Sequence, residues 1–199
     1  MDPLTLLLAD SRFPSGSYAH SLGLEQAVND GLRDVPAFIR ARQRHVASAD
    51  ARFAVEARRG NVLEDEWYAR TPSPVLRESA QRLGSQLLRS AAKIWDVPVA
   101  RMPRPLALGV VAAAAGVSDE DTALLALYDD AATVASAALK LLPLDPAVTA
   151  RWLADLAPDL ARVAQAIAHD DGPLPSPAAV AIELSAPIHL EQRERLFAS

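Results

Sequence analysis

Four histidines, His20, His45, His169 and His189, have the widest chemical range of any residues in this chain, because a neutral imidazole can ligate a metal or accept a proton. No two stand four residues apart, so no helix face presents a ready pair of ligands. His169 with Asp170 and Asp171 offers a loose ligand set for a divalent ion, yet His-Asp-Asp ahead of a glycine also reads as a helix C-terminus. Asp10, Ser17 and His20 are the residue types of an orienter, a nucleophile and a base, but the segment is not the Gly-x-Ser-x-Gly elbow that follows a strand. The absence of cysteine excludes disulfides, thiolate zinc sites and a cysteine nucleophile. No Gly-x-x-x-x-Gly-Lys-Ser/Thr loop is present to cradle a nucleotide phosphate. These residues predict no catalysis by the chain itself and no stably bound cofactor or metal.

A surface for another protein is the remaining reading of the segment "RFPSGSYAHSLGLEQ", residues 12 to 26, within a predicted recognition loop at 11–21. Phe13 and Tyr18 are aromatic, Pro14 stiffens the turn, and Gly16 and Gly23 allow positive φ or close backbone approach. Exposed aromatics on a rigid turn are binding anchors. The same residues would also serve as a buried N-terminal plug, and composition does not separate the two.

The elements that must position this loop read as helices. The chain has 199 residues, is 50% hydrophobic and contains only 8 glycines, which suits one domain with a sizeable core and few turns. We expect an all-α, single-domain bundle of roughly eight to ten helices with short loops, over 1–171. A short helix runs from about Leu22 to Gly31. A long one starts at Asp34 and Pro36 and stops at Gly60. On a 3.6-residue wheel, its Phe38, Ile39, Val46, Ala49, Phe53 and Ala57 form a core side, and Arg40, Arg44, Arg52, Arg58 and Arg59 a basic side. Arg42 falls between Ala49 and Phe53 on the apolar side, where a snorkelling stem is the expectation. After the turn "RTPSPV" comes a helix through Ala80, Leu83, Leu87 and Ala91 whose polar side carries Arg82, Gln86, Arg89 and Lys93. Gly84, costly in mid-helix, implies a close helix approach there.

Leu106 to Ala115 read as a buried helix ended by Gly116. Ser118 caps the next and central one. A narrow polar stripe on it, Thr122, Asp129, Thr133, Ser136 and Lys140, is either a solvated edge or the lining of a hydrated path. Asp145 and Pro146 start the last helix, with a break or kink expected at Pro158. "DDGPLPSPAAV" reads as a Pro-rich linker, which makes 172–199 a linker and tail suited to folding on a partner.

Net charge is −5, with arginine dominating Arg33–Arg104 and aspartate dominating 106–171. The basic helix side allows an alternative reading as a nucleic-acid-binding regulator, although the acidic half would repel phosphates. The longest uncharged apolar run, Pro105 to Val117, is far short of the roughly 20 residues that cross a bilayer. "MDPLTLLLAD" lacks the basic start of a signal peptide, so the expectation is a cytoplasmic protein without membrane or nucleic-acid partners.

The segment "LLLADSRFPSGSYAHSLGLEQAV" resembles the N-terminal signature of the urease accessory protein UreF family, with Phe13, Pro14, Gly16, Tyr18, His20, Ser21, Gly23, Leu24 and Glu25 matching. The resemblance continues in "RESAQRLGSQLL", in "LALGVVAAAAGV" and in the closing "RLFAS", where His189 stands six residues before Arg195. The chain departs from the family pattern at "MPRPLALG", which lacks a histidine. It departs again at "PLDPAVTAR", which lacks a glycine and glutamine, and at Leu190, where the family has an acid. It thus resembles a divergent member.

The resemblance implies an all-helical, commonly dimeric chaperone of urease metallocentre assembly. Its partners would be UreD (also called UreH), the GTPase UreG and apo-urease, with nickel handled by the complex and GTP hydrolysis regulated on UreG. It further implies partner-binding roles for Phe13, Pro14, Gly16, Tyr18, His20, Ser21, Glu25, Arg82, Arg89, His189, Arg195, Leu196 and Phe197. A nickel-binding protein in its own right is the third alternative.

Overall fold

The computed structural model describes residues 2–10, 12–14, 20–176 and 196–197. Every regular element among them is helical: α1 (Pro3–Ala9), α2 (Leu24–Asn29), α3 (Val35–Arg42), α4 (Ser48–Arg58), α5 (Glu64–Ala69), α6 (Pro74–Ala91), α7 (Arg104–Ala114), α8 (Asp119–Leu141) and α9 (Pro146–Ala168). A π-helical turn, Gln43–Ala47, joins α3 to α4 without interruption, so these two make one long helix and the described chain has eight. The all-α expectation holds.

Most helix starts are written locally. Asp2, Asp34, Ser73 and Asp145 each accept a backbone N–H at an N-terminus where a proline follows at the first or second helical position. Ser118 does the same for α8 through the Asp121 N–H at 3.1 Å. Capping satisfies donors that a helix cannot, and proline costs nothing where no intrahelical partner exists. Gly60 and Gly116 close α4 and α7 with φ of +96° and +73°, a conformation that a Cβ would penalise. The sequence reading assigns no element to 61–69; α5 forms there with Glu64, Asp65 and Glu66 in its first turn, at the positive end of the helix dipole.

Two apolar clusters share α4 and α8. Phe53, Leu87, Leu88, Leu106 and Val111 centre one, beneath α1, α6 and α7. Leu24, Ile39, Val55, Leu127, Val134 and Leu160 centre the other, among α2, α3, α8 and α9. At the α4–α7 crossing the backbones nearly touch: a Cβ on Gly109 would stand 2.1 Å from the Ala54 carbonyl oxygen. The close approach expected at Gly84 is present, but its partner is the extended segment entering α7 rather than a helix, with the Met102 carbonyl oxygen 2.0 Å from a Cβ.

Three expectations are corrected. α4 packs against α7, α8 and α9, so little of its circumference is left to solvent. The predicted basic side therefore splits: Arg52 is buried and pairs with Glu56 at 3.1 Å, while Arg58 and Arg59 reach Asp119 at 2.7 and 2.8 Å. Only Arg40 and Arg44 of that set are exposed, so the surface on which the nucleic-acid alternative stood is not presented. Arg42 does not snorkel; it is buried and bonded to the Asp130 carboxylate and the Leu22 carbonyl. Finally, α9 does not break at Pro158, because Pro158 and Ala154, whose carbonyl loses its donor, both lie on the exposed side where water replaces the bond.

Candidate partner-recognition site

The N-terminal loop is held at both of its described ends by α6. At one end the Phe13 N–H donates to the Asp10 carbonyl at 2.8 Å, and the Pro14 carbonyl accepts from Ser90 Oγ at 2.8 Å. Arg12 donates to the Asp10 carboxylate through its backbone and side chain, and these bonds hold that carboxyl down at about 2. Phe13 is buried, 6.3 Å from the Trp95 ring, so of the two readings the plug describes Phe13 while Pro14 stays exposed. Gly16 and Tyr18 lie outside the described residues, as do His189 and Arg195.

At the other end the chain turns into α2 through Leu22 and Gly23, with φ of 53° and 87°. Two consecutive left-handed residues reverse the chain within one step; glycine takes this freely, leucine under strain. The Arg42 guanidinium donates to the Leu22 carbonyl at 2.9 Å, holding the strained residue in place. Just before it, Ser21 is fully buried and His20 is 8% exposed, with Nδ1 3.5 Å from Ser79 Oγ of α6. Burial, with the positive charges of Arg104 and Arg82 adding to it, pushes the His20 imidazole down to about 4. The ring is therefore neutral at physiological pH and suited to hydrogen bonding rather than to carrying charge.

Arg104 also pairs with Asp129 of α8 at 2.8 Å, which places one member of the polar stripe beside this cluster. The stripe does not act as a unit. Thr122 is buried and its hydroxyl donates to the Ser118 carbonyl at 2.7 Å, Thr133 is 8% exposed, and Ser136 and Lys140 face outward.

Glu25 brings the two chain ends together. Its carboxylate accepts the Leu196 N–H at 2.6 Å and the Phe197 N–H at 3.2 Å, partners 171 and 172 residues away. Phe197 is 4% exposed in the second core cluster, and the Lys140 ammonium lies 5.0 Å from its ring centroid. Leu196 is exposed. The described part of the Pro-rich segment is fastened as well: Arg52 and Arg70 donate to the Gly172 and Pro175 carbonyls, and Leu174 packs on the core. Arg82 and Arg89 are exposed on α6.

The arrangement is thus a neutral, hydrogen-bonded junction of loop, α2, α6, α8 and C-terminus. Among the described residues no three His, Cys, Asp or Glu side chains are grouped to hold a metal ion. His169 Nδ1 lies 2.8 Å from the Gln165 carbonyl, and Asp171 faces Arg59. Sequence reasoning missed Ser79, Arg104 and Asp130. A lone serine, an arginine at a helix start and the second of two aspartates carry no local signal of what lies opposite them.

The family model for UreF matches residues 31–157. The urease accessory protein UreF of Mycobacterium sp. (strain JLS) is 36% identical over 98% of this chain and 97% of its own length. The chain belongs to the UreF family. Urease accessory protein UreF of Mycobacterium marinum is 35% identical over 98% of both chains, and that of Mycobacterium tuberculosis H37Rv is 36% identical over 81% of this chain. Membership agrees with the all-α bundle. No described helix of this family member is long and apolar enough to cross a membrane.

Proposed function

We propose that this chain is a cytoplasmic scaffold of urease maturation: as a homodimer it joins UreD/UreH and the GTPase UreG, and couples GTP hydrolysis to delivery of nickel, the cargo, into apo-urease. The observation that carries the reading is the Glu25 junction, which fixes the C-terminus against the segment where the loop enters α2. A partner that grips the tail therefore touches the same surface as one that reads the loop, so binding at either end is felt at the other. The chain contributes no bond-breaking group to this scheme. His20 and Ser79 hold the loop's exit on α6, and Arg42 holds its strained turn.

The test is the nickel content and activity of cognate urease co-expressed with its other accessory proteins, with and without this chain. Nickel-poor, inactive urease in its absence is the expected result, and equal nickel in both would refute the role. Truncation after residue 186 should abolish the complex with UreD/UreH while the helical circular dichroism persists; unchanged binding would remove the tail from the scheme.

A further inference from the structure

We propose that residues 169–176 form a detachable strap, which runs back along α4 towards α5 in the closed state and leaves both helices as a unit while the helical body stays intact. Its base is firm, since Arg59 donates to the Ala168 carbonyl at 2.7 Å. Beyond the base the grip weakens. Arg52 of α4 donates to the Gly172 carbonyl at 3.3 Å, and Arg70, just past α5, to the Pro175 carbonyl at 3.2 Å, both at the long end of the hydrogen-bond range. The ion pair of Arg59 with Asp171 at 3.4 Å adds little, because that aspartate is 90% exposed. The strap donates almost nothing in return: Pro173 and Pro175 have no N–H, and the Gly172 N–H is spent on Asp170 Oδ1 at 2.8 Å. Beyond Asp170 its described residues make no backbone–backbone hydrogen bond. Leu174 packs on the first core cluster; Pro175 is half-buried, and the rest of the strap is exposed.

Arg52 is what opposes closure. Its side chain is 5% exposed, yet Nε and Nη1 are buried without a hydrogen-bond partner, and Nη2 alone meets Glu56 and Gly172. Among the described residues no other charged side chain has buried, unpaired atoms. Buried Arg42, by comparison, spends its donors on Asp130 and Leu22. A buried donor left unpaired costs more than a marginal hydrogen bond returns, and lifting Gly172 away admits water to the guanidinium. Glu56 does not need Arg52, because Arg59 and Asn61 also donate to its carboxylate, at 3.3 and 2.9 Å.

The closed strap is therefore held by few bonds and opposed by one dehydrated cation, which is the condition for a local opening far easier than unfolding. Opening frees residues 169–176 from the body, about 26–29 Å of extended chain, and so lengthens the tether between α9 and the C-terminal segment. The strap is a property of this chain alone and stands whether or not the maturation role does.

The chain has no cysteine, so L174C in the full chain supplies a single thiol on the strap's packed side. Iodoacetamide labelling, read by intact mass, then measures opening. Labelling should outpace global unfolding and depend on urea far less than the circular-dichroism transition does, because a local opening exposes little surface. Adding R70M to L174C should speed labelling at least fivefold, since it removes a clamp. Adding R52M should slow it at least fivefold, although the Gly172 bond is lost too, because methionine leaves no donor to rehydrate. Were Arg52 a clamp, the rate would move the other way. Labelling that follows global unfolding or runs at the rate of a free thiol, an unchanged or slower rate with R70M, or an unchanged or faster rate with R52M would overturn the proposal. So would loss of the helical signal in R52M, since a residue that opposes closure is not required for folding.

Discussion

Replacing Arg42 by methionine removes a cation that ties α3, α8 and the loop's exit together. The Arg42 and Asp130 side chains are 5% and 12% exposed, and Arg42 also donates to the Leu22 carbonyl at 2.9 Å. Methionine matches the stem but leaves the Asp130 carboxylate with Gln43 Nε2 at 3.3 Å, and strips the donor from Leu22. Breaking a buried pair from one side costs about 3–5 kcal/mol, because an uncompensated charge remains. For a chain of this size 1 kcal/mol corresponds to roughly 2–4 °C, so the melting temperature should fall by about 6–20 °C. Urea denaturation followed by circular dichroism measures the loss. The double variant R42M/D130L should recover most of it, since burying neither charge is often neutral. A cost below about 1 kcal/mol for R42M, or a double variant no better than the single one, would refute the view of this pair as a desolvated tie.

Gly109→Ala should destabilise by about 1–3 kcal/mol or more, because its Cβ would meet the Ala54 carbonyl oxygen at 2.1 Å and neither backbone can yield alone; thermal denaturation would show it. Asp50, which accepts the Trp67 indole N–H at 3.0 Å, is raised by burial, and by nearby Asp130, to about 6 from 3.8. The folded state therefore binds the extra proton between these values, and wild-type stability falls as pH rises from about 4 to 6. Asp50→Asn should then be more stable than wild type at pH 7.5, by up to about 3 kcal/mol, with the gain shrinking below pH 6 and absent near pH 4. His20, depressed to about 4, works in the opposite direction: its contribution is complete above about 6.5 and lost as pH falls towards 4, so His20→Gln should flatten that acid limb of the stability curve. Glu25→Ala deletes the acceptor of two backbone N–H groups, bonds worth about 1.5–3 kcal/mol each to a charged partner. Chymotryptic cleavage at Phe197, read by intact mass, should accelerate at least tenfold, and an unchanged rate would show that the junction does not hold the tail.

Local chemistry settled much of this molecule before any contact was known. Aspartate followed by proline marked α3 and α9, Gly60 and Gly116 marked ends, and the alanine-rich apolar periods marked α7 and α8, because capping and helix propensity act within a few residues; α6 instead starts at Pro74, inside the stretch 70–75 that reads as a turn. The motif from Phe13 to Glu25 was legible for the same reason: it is contiguous. What sequence could not carry was anything set by a partner far along the chain. The packing of α7, α8 and α9 around α4 has no local signature, yet it turns an apparent basic face into buried and half-buried ion pairs with Glu56 and Asp119. Whether Arg42 snorkels or pairs depends on Asp130, 88 residues away, and whether Phe13 is an anchor or a plug depends on Trp95. Glu25 reads as an ordinary first-turn acid of α2; only the folded chain brings Leu196 and Phe197 to it, because a hydrogen bond is decided by distance in space and sequence records only distance along the chain.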